Sequence, residues 1–266
     1  MPRWYRLRLT MIAAVLLAGL SRYCAADTPA ASLAGYLGSA EVPDATSIIG
    51  PPPAAGTGTK LGDDRTYRLT RRLEGSARWQ LAQRDADYSL TAVLSDFSCA
   101  AGRLLAPAGS PVLGTLVGRA LTDAVTAARN AKQIYRRPRP FVEHGGAICI
   151  AKDPSLTASY SYPSGHSTTG WMSGLVLAAV FPANAEAILA RARAYGDSRV
   201  VCGVHYESDV AAGRLVAAAV FARLEATTEF RADLERAREE AKGAPAANPD
   251  AARCALDAAA LRTPVW

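Results

Sequence analysis

Histidine is scarce in this chain, with three among 266 residues, at positions 144, 166 and 205. So few titratable rings leave few candidates for acid–base work near neutral pH. Aromatics are only 7% and alanine is overused, a composition that suits packed helices better than a β-sandwich. No alternating strand pattern, heptad, collagen period or longer internal repeat is found. No CxxC pair occurs, which argues against a thiol redox site or a zinc ribbon. Beyond the N-terminus no apolar run approaches the roughly 20 residues needed to cross a bilayer. The longest, Trp171 to Phe181, is about half that length, which excludes a polytopic membrane protein. Global disorder is excluded by the 50% hydrophobic content. The length suits one domain or two small ones.

A strong charge excess is also missing. Lys and Arg total 30 against 24 Asp and Glu, a net +6. Arg3, Arg6, Arg8 and Arg22 stand in the first 26 residues with no acid beside them, and removing these four charges leaves +2. No nucleic-acid partner is implied.

Residues 1–26 have the three parts of a secretory signal peptide: a basic start to Arg8, an apolar stretch from Leu9 to Leu20, and Cys24-Ala25-Ala26 before Asp27. The apolar stretch is short for a stable membrane anchor. Ser21-Arg22-Tyr23 opposes a lipoprotein reading of Cys24. The reading is a periplasmic or secreted chain with no membrane attachment after cleavage. Cleavage leaves Cys99, Cys149, Cys202 and Cys254, enough for up to two disulfides in an oxidising compartment. Three pairings are open, and buried free thiols are the alternative.

Residues 27–60, rich in Ala, Gly, Pro, Ser and Thr with Pro51-Pro52-Pro53, read as an extended surface arm. Residues 61–242 read as one helical domain, all-α. Its strongest element is an amphipathic helix from Pro111 to Tyr135, with Leu113, Leu116, Val117, Leu121, Val125 and Ala128 on one face. Arg136 to Tyr162 reads as a proline-rich loop. Helices follow at His166–Phe181, Asn184–Tyr195, Ser208–Leu224 and Phe230–Lys242. Residues 243–266 form a tail, a linker followed by a short helix from Ala251 to Leu261.

Three clusters carry chemistry. Lys132, Arg136, Arg137 and Arg139 lie where a helix runs into a loop fixed by Pro138 and Pro140. One reading is compensation of a helix C-terminus. The other is a claw for phosphate, because arginine grips oxyanions bidentately and lysine adds a point charge. The second cluster, Tyr162-Pro163-Ser164-Gly165-His166-Ser167-Thr168-Thr169, precedes a helix. Glycine allows close backbone approach, and a hydroxyl with free N–H groups at a helix start holds an anion. Ser164 or Ser167 would also serve as an ordinary N-cap. A cap does not need His166, which is a candidate general acid. The third cluster joins Arg199 to His205 and Asp209. His205 and Asp209 are four apart and share a face if that turn is helical. A carboxylate on one ring nitrogen fixes the tautomer and frees the other as a nucleophile. The alternative is a pair that only stabilises a helix start.

Taken in order, Lys132-x6-Arg139-Pro140, Pro163-Ser164-Gly165-His166 and Ser198-Arg199-x5-His205-x3-Asp209 resemble the three-part signature of the acid phosphatase / vanadium haloperoxidase (PAP2-type) superfamily. Over roughly residues 36–240 the chain looks like the bacterial class A non-specific acid phosphatases. Pro51-Pro52-Pro53 and Ser98-Cys99-Ala100-Ala101 sit where that family has similar stretches. The resemblance implies a single-domain helical bundle and a phosphoric monoester hydrolase. It implies that His205 attacks phosphorus, Asp209 orients it and His166 protonates the leaving oxygen. Lys132, Arg139, Ser164, Gly165 and Arg199 would hold the phosphate. Phosphate monoesters would be substrates and inorganic phosphate the product, with no cofactor and no metal, and with a mildly acidic optimum. An anionic pocket should raise the His166 pKa and favour its protonated state. Arg136 and Arg137 are read as outward rim charges, and His144 as a surface residue. The family and the apolar helix excess imply a homo-oligomer.

Competing readings are a vanadate-dependent haloperoxidase, for which the chain is short, and a lipid phosphatase, which lacks the membrane helices here. A non-catalytic phosphate-binding protein would not need His205, His166 and Asp209. A metalloprotein built on the three histidines has no ligand-like spacing to support it.

Overall fold

The computed structural model describes residues 33–152, 154–243 and 247–265. The signal peptide read at 1–26, its cleavage before Asp27 and the first part of the arm lie outside the described residues. Among the described residues there are helices and no strand, and no helix is long and apolar enough to cross a membrane.

The first helices are α1 (Ala45–Ile49), α2 (Gly58–Thr70), α3 (Ala77–Arg84) and α4 (Leu90–Ala101). Asp44, Thr57, Ser76 and Ser89 start them, each accepting a backbone N–H with its side chain. The segment read as an extended arm thus already contains α1 and the first turn of α2. Composition signalled the prolines and missed the two caps.

Helix α5 (Pro111–Tyr135) has the bounds read from the sequence. Proline at its first position needs no N–H partner. Leu113, Leu116, Val117, Leu121 and Ala128 are buried as the periodicity predicts, and Val125 is half-buried. The helix ends at Arg136, whose φ of 48° reverses the chain. Two short helices, α6 (Pro140–His144) and α7 (Pro154–Ala158), interrupt what was read as a loop.

The remaining helices are α8 (Gly165–Val180), α9 (Ala185–Val201), α10 (Glu207–Glu225), α11 (Thr228–Gly243) and α12 (Ala251–Leu261). Helix α8 packs against α5, α9 and α10 and is apolar nearly all round, with Met172, Val176 and Leu177 fully buried. Small residues set its spacing. A Cβ on Gly174 would stand 2.4 Å from Cβ of Ala192 on α9, and one on Gly213 of α10 would stand 2.5 Å from the Ser164 carbonyl oxygen. Close approach therefore brings the starts of α8 and α10 together at one end of the core.

Two disulfides close the bundle: Cys99–Cys254 ties α12 to α4, and Cys149–Cys202 ties the α6–α7 connection to the end of α9. They resolve the open pairing, and none of these four thiols is free.

Candidate active site

The three sequence clusters meet where α5 ends, α8 begins and α9 turns into α10. Arg139 is the extended residue just before α6. Its Nη1 donates to the Val204 carbonyl at 2.8 Å and lies 3.1 Å from Nε2 of His205, while Nη2 donates to Oγ of Ser159 at 2.9 Å. A guanidinium can only donate, so Nε2 of His205 is an acceptor and carries a lone pair. The ring proton therefore sits on Nδ1, which faces Oδ2 of Asp209 at 3.4 Å.

This His–Asp contact is not made along a helix face. Helix α10 starts only at Glu207, so His205 precedes it. Asp209 reaches back from the third helical position, and the same Oδ2 accepts the Tyr206 N–H at 2.8 Å. The carboxylate thus caps the helix and faces the imidazole at once. The contacts that both readings require are present, a cap on the helix and a carboxylate at the imidazole.

Arg199 occupies the last turn of α9 and is 1% exposed, yet its Nε and Nη1 have no hydrogen-bond partner. Nearby, Ser198 receives Nη1 of Arg78 at 2.8 Å and donates to Asp85. That pairing fixes the turn from which Arg199 projects. Nζ of Lys132 donates to the Tyr160 carbonyl at 2.8 Å, so it satisfies the loop before α8 and not the end of its own helix. Burial and the charge of Arg139 push its pKa down to about 7. Burial likewise lowers the Arg139 and Arg199 guanidiniums, each to about 10. Loss of hydration on burial is the largest cause of all three shifts.

Ser164 caps α8, with Oγ accepting the Ser167 N–H at 3.3 Å, and its own N–H donates to the Asp209 carbonyl at 2.9 Å. A Cβ on Gly165 would meet nothing within 4 Å, so the chain borders open space on that side, and the N–H at this first helical position has no partner within the helix. His166 is half-buried. Its Nε2 donates to the Ala86 carbonyl at 3.0 Å, and its ring meets the Tyr88 ring edge-on at 4.8 Å. The charges of Arg199, Arg139 and His205 all act on it, which places it in the same electrostatic centre. Burial and Arg199 hold its pKa well below the usual value. The pocket was expected to raise it. The pocket without phosphate is cationic, and only a bound anion would reverse the sign.

The outward reading of the two extra arginines holds for Arg136, which is exposed, and fails for Arg137. Arg137 is 5% exposed and pairs with Asp63 and Asp209. A signal for this lay in the sequence. The residue before a proline is extended, and in extended chain residues two apart point to one side. Arg137 therefore follows Arg139 inward. Asp63 and Ser208, which hold it, belong to no motif and were missed. His144 is exposed, as expected, and its Nε2 lies 2.8 Å from Asp64. Asp64, Glu143 and His144 cluster closely enough to hold a metal, but Lys60 already pairs with both carboxylates, at 2.6 and 3.2 Å.

Residues 111–231 match the PAP2 superfamily. The chain is 42% identical to an acid phosphatase of Zymomonas mobilis over 82% of its own length and 83% of that protein's. It is 38% identical to a non-specific acid phosphatase of Providencia stuartii over 77% of this chain and 84% of that one. A non-specific acid phosphatase of Salmonella typhimurium is 36% identical over 71% and 77%. The chain belongs to the PAP2 superfamily, on its acid phosphatase branch, and is an enzyme of that family.

Proposed function

We propose that the chain is an exported enzyme that hydrolyses phosphate monoesters of broad type through a phosphohistidine on His205. The observation that carries this is the buried Arg199 guanidinium with two unpartnered nitrogens, in the same cluster as Arg139, Lys132 and a histidine whose Nε2 lone pair is free of its own proton. A tetrahedral oxyanion is the group that satisfies such a site.

In the first step Nε2 of His205 bonds to phosphorus and the ester P–O bond breaks. The imidazole becomes a cation, which Asp209 stabilises across Nδ1–H. His166 passes a proton to the departing alcohol oxygen. Its Nε2 is committed to the Ala86 carbonyl, so Nδ1 is the nitrogen that transfers the proton. In the second step water attacks phosphorus, neutral His166 takes its proton, and the P–N bond breaks to release inorganic phosphate. Lys132, Arg139 and Arg199 neutralise the equatorial oxygens, with the Ser164 hydroxyl and the Gly165 N–H completing the cradle. Three cations supply the charge that a divalent metal supplies in other phosphoryl-transfer sites, so the reaction proceeds without one.

The test is hydrolysis of p-nitrophenyl phosphate by the mature chain between about pH 5 and 7, with and without EDTA, beside His205→Ala. Activity that resists EDTA and is lost in the variant supports the reading. An inactive wild type or an EDTA-sensitive one would overturn it. Mass spectrometry of the exported protein should find Asp27 at its N-terminus, and an intact leader would reject the signal peptide.

A further inference from the structure

Arg137 lies outside the phosphate cradle, and the mechanism above does not use it. Its contacts lead to the nucleophile all the same. Nη1 donates at 2.7 Å to Oδ1 of Asp209 and at 2.7 Å to Oγ of Ser208. Nη2 donates at 2.8 Å to Oδ2 of Asp63 on α2. Asp63 in turn accepts the Ser208 N–H at 2.9 Å through Oδ1 and the Ser208 hydroxyl at 2.5 Å through Oδ2. The guanidinium also lies over the Tyr206 ring, 4.1 Å from its centre. Arg137 is therefore held on three sides, and its free direction is occupied by Asp209.

We propose that Arg137, anchored by Asp63, is a positioning residue for phosphoryl transfer, acting on His205 through the Asp209 carboxylate.

This inference rests on the reading of His205 as nucleophile. The physical reason is the division of labour on Asp209. Oδ2 faces the ring of His205, so Asp209 must stay an acceptor. A protonated Asp209 would donate to Nδ1, move the ring proton to Nε2 and abolish the attacking lone pair. Asp209 is fully buried, and burial raises its pKa. Arg137 is the largest force in the other direction, followed by the Tyr206 N–H and Lys132. Asp63 faces Arg137 from α2, His205 faces Asp209 from the preceding turn, and Tyr162 is close enough for its own titration to feel Asp209. Among these groups Arg137 alone is both a cation and bonded to the carboxylate. Asp63 contributes by keeping Arg137 extended over Tyr206 and away from the phosphate cations.

The test compares wild type with Arg137→Gln, Arg137→Lys and Asp63→Asn. The measurements are kcat and KM against pH, inorganic phosphate affinity by calorimetry, and phosphoenzyme trapped from a labelled monoester. Arg137→Gln should lower kcat by about 10- to 100-fold, by analogy with removal of an outer partner of a metal-bound histidine. KM and phosphate affinity should stay near wild type, because the cradle is untouched. The acidic limb of the kcat profile should move to higher pH, since Asp209 takes up a proton more readily without its cation. Arg137→Lys restores the charge and should return the limb toward wild type. Asp63→Asn keeps the shape and should reduce kcat in the same direction by less, so it decides the matter if Arg137→Gln does not fold. A lowered melting temperature with unchanged kcat and an unchanged acidic limb would overturn the proposal and leave Arg137 a structural ion pair. Failure of the underlying reading is distinct, because wild type would then form no acid-labile phosphoenzyme that His205→Ala lacks.

Discussion

Burial among like charges sets the titration of single residues at this site. Lys132 is pushed down to about 7 by burial and by Arg139, so in the free enzyme it is charged below that pH and neutral above it. A phosphate dianion reverses the balance and raises both Lys132 and His166. Above about pH 8, where free phosphate is already the dianion, its binding should therefore take up protons, and affinity should fall as pH rises further. Calorimetry in two buffers of different ionisation enthalpy measures this directly, and binding with no proton uptake would contradict the Lys132 assignment. The kcat/KM profile, which reports the free enzyme, should already fall below neutrality as His166 loses its proton, and more steeply above about 7 as Lys132 loses its own. Lys132→Arg should push that limb upward. Arg199 has two nitrogens waiting for an acceptor. A lysine there loses at least one charge-assisted hydrogen bond of about 1.5–3 kcal/mol, so Arg199→Lys should weaken phosphate binding by roughly 10- to 100-fold.

Secondary elements matter through their ends. The start of α8 supplies Ser164, Gly165 and His166, and the start of α10 supplies Asp209. The two are held together by the Ser164 N–H to Asp209 carbonyl bond and by the missing side chain at Gly213. Gly213→Ala places a Cβ 2.5 Å from backbone oxygen, so one helix must shift. Overpacking of this kind costs about 1–3 kcal/mol. The melting temperature should fall and phosphate binding should weaken with it. Gly165→Ala is the contrasting case. Its Cβ meets no protein atom, so the variant should be as stable as wild type while losing phosphate affinity, because the methyl group enters the oxyanion space. A Gly165→Ala enzyme with unchanged phosphate affinity would remove this N–H from the cradle.

For the whole molecule, the two disulfides differ in what they restrain. Cys99–Cys254 spans 155 residues and Cys149–Cys202 spans 53. Loop-closure entropy allows each at most about 4–5 kcal/mol of stabilisation, slightly more for the longer loop. The difference in function should be larger. Cys202 lies in the turn between Arg199 and His205, with its carbonyl accepting the Cys149 N–H at 3.0 Å. Replacing Cys149 and Cys202 by serine should lower both melting temperature and kcat. Replacing Cys99 and Cys254 should lower melting temperature and leave kcat near wild type, because that bridge only ties α12 to α4. Paired thermal melts and steady-state rates separate the two. Equal loss of kcat in both double variants would show that the site depends on global stability and not on the local bridge.

The chain by itself determined the helical class, the bounds of α5 and the identity of the groups that converge on the site. Periodicity and proline punctuation act over a few residues, and the three clusters sit at helix junctions that such local signals mark. Local pattern did not reveal α1, since two caps amid prolines read as plain arm. The start of α10 was legible to within a residue, at Ser208 against the observed Glu207, but not that Asp209 reaches back to cap it and face His205, a contact that depends on the chain's path through Gly203, where φ is 82°. Proline-fixed spacing sets the side to which Arg137 points, and the tertiary structure decided what it meets there. Whether an arginine faces solvent or a buried carboxylate depends on Asp63, 74 residues away in sequence. The same holds for the titration of His166 and Lys132. Their residue types come from the sequence, but the shift in each comes from burial among like charges, and burial exists only once distant helices have packed.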